Sequence, residues 1–246
     1  MPPITLSYVL PVHNQEHILA HSVSRLHERL SELPGSEIVL VENGSSDASA
    51  ELCLRLAADQ HSSRVAVCAV DSPTGMGHAL RRGMQIARGE VVVLTAADLP
   101  FGFTDLDAFL AEPERPRLAI GSKAHPRSRV DVSLQRRLMS GLFRGLRAAV
   151  LGLRVGDSQG TVFLESRLAR RILPHLACGD FLISTEVVCW AIQFGAHAVE
   201  LPVVYPRSGG TTVSPLRDSA RMAAGLFALR HRLRAAPVGW AATSES

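Results

Sequence analysis

The stretch from Gly75 to Pro100, GMGHALRRGMQIARGEVVVLTAADLP, constrains the fold more than any other part of the chain. It opens on Gly75 and Gly77, which accept positive φ and let backbone N–H groups approach a ligand. Apolar residues then recur at helical spacing from Ala79 to Arg88, and Gly89 is placed to end that helix as its C-cap. Glu90–Thr95 follows as a short β-branched run, the pattern of a strand covered on both faces. Asp98 therefore falls just beyond the C-terminal end of a strand, the edge at which open α/β sheets bind ligands.

The same alternation runs through the rest of the chain. Strands are expected at Ile4–Val12, Glu37–Val41 and Val65–Val70, with amphipathic helices over His17–Leu30 and Ala48–Asp59 between them. Ser46 or Asp47 suits the N-cap of the second helix. Strand–helix alternation at this spacing predicts right-handed βαβ units, a mostly parallel sheet and an α/β class with helices on both faces. Beyond Pro100 the pattern predicts a helix over Phe101–Leu110 with Thr104 as its cap, a strand at Leu118–Ser122 and a mobile loop over 124–131. A strand at Gly160–Leu164, helices over Leu168–Leu173 and Ser184–Phe194, and a strand at Val199–Val204 come next. Pro202 places that last strand at an edge.

Two basic amphipathic helices complete the pattern, Ser133–Leu153 and Asp218–Arg234. On the first, Leu138, Leu142, Leu146, Ala149 and Leu153 share one face, and Arg136, Arg137, Arg144, Arg147 and Arg154 share the other. Two readings fit: a helix packed on the core with solvated arginines, or an interfacial helix on an anionic membrane.

Composition narrows the function classes. The chain has 246 residues, 20% of them charged, and a net charge of +3, so its basic character is local to these arginine-rich helices. Aromatic residues are 5% of the chain and do not interleave with the arginines, which argues against nucleic acid as a partner. Cys53, Cys68, Cys178 and Cys189 form no C-x-x-C pair and read as small buried thiols in a reducing compartment. The N-terminus has no signal-peptide pattern, and no apolar run reaches the roughly 20 residues a bilayer span needs. A cytoplasmic protein, peripheral to the cytoplasmic face of a membrane, is the expectation. His13, His17 and His21 are spaced by four, but His13 belongs to the end of the first strand, so a helical histidine metal face is not expected.

Several pieces now line up: VLPVHNQE at 9–16, VENGSSD at 41–47, the Gly75–Leu99 stretch, GSK at 121–123, DSQ at 157–159, and ELPV at 200–203 followed by Arg207. In this order and spacing the chain resembles family 2 glycosyltransferases of the GT-A fold, a Rossmann-like three-layer α/β/α arrangement. Within that family it is most similar to the dolichyl- and polyprenyl-phosphate hexose synthases. The resemblance implies a single domain over 1–235, with a nucleotide-binding half (1–99), an acceptor-side half (100–235) and a flexible tail (236–246). It implies inverting transfer of a hexose from a GDP- or UDP-sugar to a polyprenyl phosphate. Pro11, His13, Asn14, Glu16, Asn43, Gly75, Gly77, Ala97, Asp98 and Gln159 then fall in the donor site. Asp98, Glu186, Lys123 and Arg207 take catalytic positions, and Lys123, Arg136 and Arg137 face the acceptor phosphate.

The chain departs from the family at the metal motif. The family's Asp-x-Asp, often followed by Leu-Gln, reads Ala96-Ala97-Asp98-Leu99-Pro100 here. Asp98 remains as the one carboxylate for Mg²⁺ or Mn²⁺, and hard cations of this kind want several oxygen ligands. Weakened or absent metal dependence is therefore expected, with Lys123, Arg207, Arg127 and Arg129 available to neutralise a leaving diphosphate. Two other functions fit the same residues: transfer to a soluble acceptor in polysaccharide or natural-product assembly, and non-catalytic nucleotide-sugar binding. A membrane-protein partner or a second copy of the chain are further expected partners.

Overall fold

The structure is a computed structural model and describes residues 4–59, 64–206 and 215–235, without the side chains of residues 135–136 and 215–222. In chain order its elements are β1 (Leu6–Val12), α1 (Leu19–Leu30), β2 (Glu37–Glu42), α2 (Ser49–Asp59), β3 (Ala66–Asp71), α3 (Met76–Ile86), β4 (Val91–Leu94), α4 (Thr104–Ala111) and β5 (Leu118–Ser122). They continue with β6 (Arg129–Val130), α5 (Leu134–Leu151), β7 (Val162–Glu165), α6 (Ser166–Ile172), a 3-10 turn (Leu173–His175), α7 (Ile183–Gln193), β8 (Ala198–Pro202), β9 (Val204–Tyr205) and α8 (Pro215–Ala235).

The strands form a seven-stranded sheet in the order β3-β2-β1-β4-β7-β5-β8. Neighbours pair in parallel except at β7, which is antiparallel to both β4 and β5. The C-terminal ends of β1, β2, β4 and β5 therefore share one edge with the segment that enters β7. The period-two alternation of the strands sorts side chains into two cores. Val9, Val39, Leu94, Ile120 and Val162 face α3, α6, α7 and α8, while Tyr8, Leu40, Val93, Ala119 and Phe163 face α1, α2 and α4. Pro202 lies in β8, the outermost strand, as expected of a residue that cannot donate to a ladder.

Four local expectations are corrected. Gly89 does not cap α3: the helix ends at Ala87, whose N–H donates to the Gly83 carbonyl. Glycine is needed at 89 because a β-carbon there would lie 2.7 Å from the Ser7 nitrogen, and the Gly89 N–H donates to Ser7 Oγ at 2.7 Å. Thr104 does not cap α4; its hydroxyl donates to the Phe101 carbonyl and accepts the Val204 N–H. The 124–131 segment is tied down, because Arg129 and Val130 pair with β9 and Ser128 Oγ donates to the Ser122 carbonyl at 2.7 Å.

The fourth correction concerns α5. Its buried stripe is Arg147, Val150 and Leu151, with Phe143 packed beside them, at i, i+4, i+7 and i+8. Leu138 and Leu142, read as the core face, are 73% and 68% exposed, and Arg147, read as solvated, is 2% exposed. Among the described residues no helix is long and apolar enough to cross a membrane.

Candidate active site

The β1–α1 and β2–α2 loops are stitched together at the strand edge. Asn14 adopts φ +53, and its Oδ1 accepts the Ser46 N–H at 2.8 Å while its own N–H donates to Ser45 Oγ at 3.1 Å. Glu16 Oε2 accepts the Ala48 N–H at 2.8 Å, and Asp47 accepts the N–H groups of Glu16 and Ser49. Asn43 is 3% exposed; its Nδ2 donates to the Val12 carbonyl at 2.9 Å and its Oδ1 accepts the Gly75 N–H at 3.3 Å. His13 Nδ1 lies 3.1 Å from the Asn43 carbonyl oxygen. Asn14, Glu16 and Asn43 thus hold the frame of the edge with the groups expected to read a nucleoside. Pro11 is a half-buried residue of β1, and the Ala97 side chain is buried in the α1-side core.

Glu42 was not singled out in the sequence, although an acid preceding Asn-Gly at a strand end was a usable signal. Burial pushes its carboxyl up, but hydrogen bonds from Ser45 and Gly44 outweigh it and hold the group below the usual range.

The Gly75–Gly77 turn is covered from the other side. Gly75 opens α3 at φ +126, and the Gly77 N–H donates to the Gly179 carbonyl at 2.9 Å rather than facing a diphosphate. A β-carbon at Gly77 would lie 2.1 Å from the Cys178 carbonyl oxygen, so glycine is required for the approach of the 177–180 loop. That loop is held by Glu186. The Glu186 side chain is 0% exposed; Oε2 accepts the N–H groups of Ala177 and Cys178 at 3.0 and 2.7 Å, and Oε1 accepts Arg232 Nη2 at 2.6 Å. Glu186 is therefore neither a solvated carboxylate nor a free base facing the edge. Burial, and then the Glu186 charge, push the Cys178 thiol up to about 12.

Asp98, Lys123, Asp157 and Gln159 gather on the β4–β7–β5 part of the edge. Asp98 meets solvent, yet desolvation by the surrounding walls pushes its carboxyl above the usual range. A cavity of about 430 Å³ lies against it, walled by Arg25, Phe101, Phe103 and Tyr205 among others. Lys123 Nζ is 2.8 Å from Asp157 Oδ2 and sits 5.3 and 5.8 Å from the ring centroids of Phe101 and Tyr205. Burial raises the Asp157 carboxyl, but the Lys123 ammonium and backbone N–H donors hold it below the usual range. The Gln159 N–H also donates to Asp157, and the Gln159 side chain is exposed. Arg137 projects from the exposed part of α5, while the Arg136 side chain and Arg207 lie outside the described residues.

The side chains around the end of β4 offer a divalent cation a single carboxylate. Asp98 is the only acidic residue between Ala96 and Pro100, and the alanines and proline around it offer no side-chain oxygen. Among the described residues no three His, Cys, Asp or Glu side chains converge. One monodentate carboxylate leaves most of an octahedral shell to groups outside the protein.

Residues 7–171 match the family described as glycosyl transferase family 2. The chain belongs to glycosyltransferase family 2. It is thereby a glycosyltransferase. Among its relatives, the dolichyl-phosphate beta-glucosyltransferase of Saccharomyces cerevisiae is 26% identical over 92% of this chain and 74% of its own length. An undecaprenyl-phosphate 4-deoxy-4-formamido-L-arabinose transferase of Pseudomonas fluorescens is 30% identical over 86% of this chain and 61% of its own length. The fold is that of glucosyl-3-phosphoglycerate synthase from Mycobacterium tuberculosis, with a TM-score of 0.64 at 18% identity, covering 94% of this chain and 81% of that one. That enzyme has also been solved in complex with UDP, where the TM-score is 0.62. The mostly parallel three-layer sheet is thus the GT-A arrangement.

Proposed function

We propose that this glycosyltransferase moves a hexose from a nucleotide sugar, GDP- or UDP-linked, to a polyprenyl phosphate at a membrane surface, inverting the anomeric carbon. The observation that carries the lipid acceptor is the outer face of α5. Leu134, Leu138, Met139 and Leu142 are exposed there, interleaved with the exposed cations Arg137 and Arg144. An apolar row among arginines is the surface an anionic bilayer binds. The names of the yeast and Pseudomonas relatives, which act on dolichyl and undecaprenyl phosphates, support the same acceptor class.

The chemistry suits such an acceptor. A phosphate oxygen of the acceptor attacks the anomeric carbon, and the bond from that carbon to the diphosphate oxygen breaks, with its electron pair leaving on the nucleoside diphosphate. The acceptor is already an anion, so no proton has to be removed. Lys123, fixed by Asp157 and two aromatic rings, supplies positive charge at the edge. Arg207, Arg136 and Arg137 are the further cations that the family resemblance assigns to the diphosphate and the acceptor phosphate. Asp98 orients the sugar, and dependence on Mg²⁺ or Mn²⁺ is weak or absent.

Protein incubated with UDP-glucose or GDP-mannose and undecaprenyl phosphate in anionic vesicles is expected to sediment with the vesicles and form glycosyl lipid. Failure of both sedimentation and product sinks the reading. A soluble hydroxyl acceptor is the second reading, favoured by the raised carboxyl of Asp98, which suits a general base. It predicts product without vesicles and a rate that rises through the Asp98 titration.

A further inference from the structure

Among the described side chains of the basic helices, Arg147 of α5 is buried and Arg232 of α8 is one-third exposed, and each grips a different loop of the strand edge. Arg147 of α5 is 2% exposed and forms no ion pair with a carboxylate among the described residues. Its Nη1 donates to Ser158 Oγ at 2.6 Å, its Nη2 donates to the Val155 carbonyl, and its Nε has no acceptor among the described residues. Ser158 Oγ in turn lies 2.9 Å from Thr185 Oγ1 on α7. Burial penalises the guanidinium, and the charges of Asp157 and Glu200 offset part of that cost from beyond ion-pair distance; a hydrophobic residue of similar volume is often an equally stable filling. What the arginine gains is a planar fork that spans a hydroxyl and a carbonyl of one loop, which neither an apolar residue nor a lysine reproduces.

The gripped loop is the one that enters β7 and presents Asp157 and Gln159. It is pinned on its other sides as well: the Gly156 N–H donates to Glu200 Oε1 at 2.7 Å, and Asp157 pairs with Lys123 at 2.8 Å. Arg147 is the contribution of α5 to that frame.

Arg232 of α8 works on the opposite part of the edge. Its Nη2 donates to Glu186 Oε1 at 2.6 Å and to Cys178 Sγ at 3.3 Å. Glu186 fastens the backbone of Ala177 and Cys178, and Gly179 then receives the Gly77 N–H at the first turn of α3. One step further, the Gly75 N–H meets Asn43, which is bonded to the end of β1.

We propose that Arg147 and Arg232 are positioning residues of the transfer site with separate duties. Arg147 sets the 155–159 loop beside Lys123 on the sugar and acceptor side. Arg232, through Glu186, presses the 177–180 loop onto the Gly75–Gly77 turn on the donor side. The assignment rests on the nucleotide-sugar transfer proposed above.

The test compares Arg147→Met, Arg147→Lys, Arg232→Met, Arg232→Lys and Glu186→Gln with the unmodified chain. UDP-glucose and GDP-mannose binding is measured by calorimetry without acceptor, and kcat and both KM values are measured with undecaprenyl phosphate in vesicles. Arg147→Met is expected to lower kcat or raise the acceptor KM about tenfold or more while donor affinity stays within about twofold. Arg232→Met and Glu186→Gln are expected to weaken donor binding about tenfold with the acceptor KM little changed. Lysine recovers much of the loss at 232, where the partner is a carboxylate, and little at 147, where the fork is required. If Arg147→Met does not fold, Ser158→Ala removes the same anchor and is expected to give the acceptor-side effect in weaker form. Variants that lose thermal stability yet shift donor and acceptor constants alike, or shift neither, overturn the assignment. An unmodified chain that binds neither nucleotide sugar overturns the transfer reading instead.

Discussion

At Gly77 the chain has no room for even one carbon. A β-carbon there would stand 2.1 Å from the Cys178 carbonyl oxygen and 2.7 Å from the Gly179 carbonyl carbon, both backbone atoms that cannot swing aside. Gly77→Ala is therefore expected to cost about 1–3 kcal/mol in urea unfolding, the range for overpacking, and to weaken nucleotide-sugar binding as the 177–180 loop retreats. Two acids at the edge respond to pH in opposite directions. The folded Asp157 carboxyl is held below its unfolded value, chiefly by Lys123 acting against burial, so its contribution is fully present above the unfolded pKa of about 3.9. That contribution is lost as pH falls through the lower folded value. Asp157→Asn should destabilise at pH 7, and its deficit against the unmodified chain should shrink as unfolding is measured toward pH 3. Desolvation raises the folded Asp98 carboxyl above its unfolded value, so its ionisation opposes folding once pH exceeds the unfolded pKa. Asp98→Asn is accordingly expected to melt at a slightly higher temperature at pH 7 while transfer is lost. A variant that is both less stable and still active would contradict that role. The coexistence of a stability gain and an activity loss is the mark of a group kept for function.

Elements were legible in the sequence to the extent that local pattern fixes them. Short apolar runs gave β1, β2, β3 and β4, and turn residues after each strand marked the edge, because both signals lie within a few neighbouring residues. The roles of Asn43, Gly77 and Glu186 were not legible in this way. Gly77 meets Gly179 across about a hundred residues of chain, and no local spacing reports such a contact. Helix α5 was misjudged for a related reason: charge patterning assumes that arginines are solvated, so a stripe containing Arg147 was not read as the buried one. The true stripe leaves Leu138 and Leu142 outside, at 73% and 68% exposure. Substituting both by serine should change unfolding stability by no more than about 0.5 kcal/mol, as for surface positions elsewhere. The same double variant should lose most of its sedimentation with anionic vesicles. Loss of stability with vesicle binding unchanged would place those leucines in a contact internal to the protein.

For the whole molecule, strand direction decides which chemistry meets at the edge. Parallel strands deliver the ends of β1, β2, β4 and β5 to one side, and the reversed β7 brings Asp157 and Gln159 there from its entry segment. The edge thus collects Lys123, Asp98, Asp157 and Gln159 from segments far apart in sequence, and between Ala96 and Pro100 Asp98 is the one carboxylate offered to a cation. Fixed cations that need no reorganisation can stabilise a leaving diphosphate in place of a bound ion. Transfer in chelator is therefore expected to retain more than roughly a tenth of the rate seen with Mg²⁺ or Mn²⁺, a difference under about 1.4 kcal/mol in barrier. Ala96 supplies the converse experiment. It lies two residues before Asp98, partly buried at the same strand end, and Ala96→Asp places a second carboxylate there. Two acids side by side raise the demand for a cation between them, so this variant should become slower in chelator and saturate with added Mn²⁺. Rates that collapse in chelator for the unmodified chain, with no further change in Ala96→Asp, would mean that Asp98 already recruits the ion with help from the diphosphate alone.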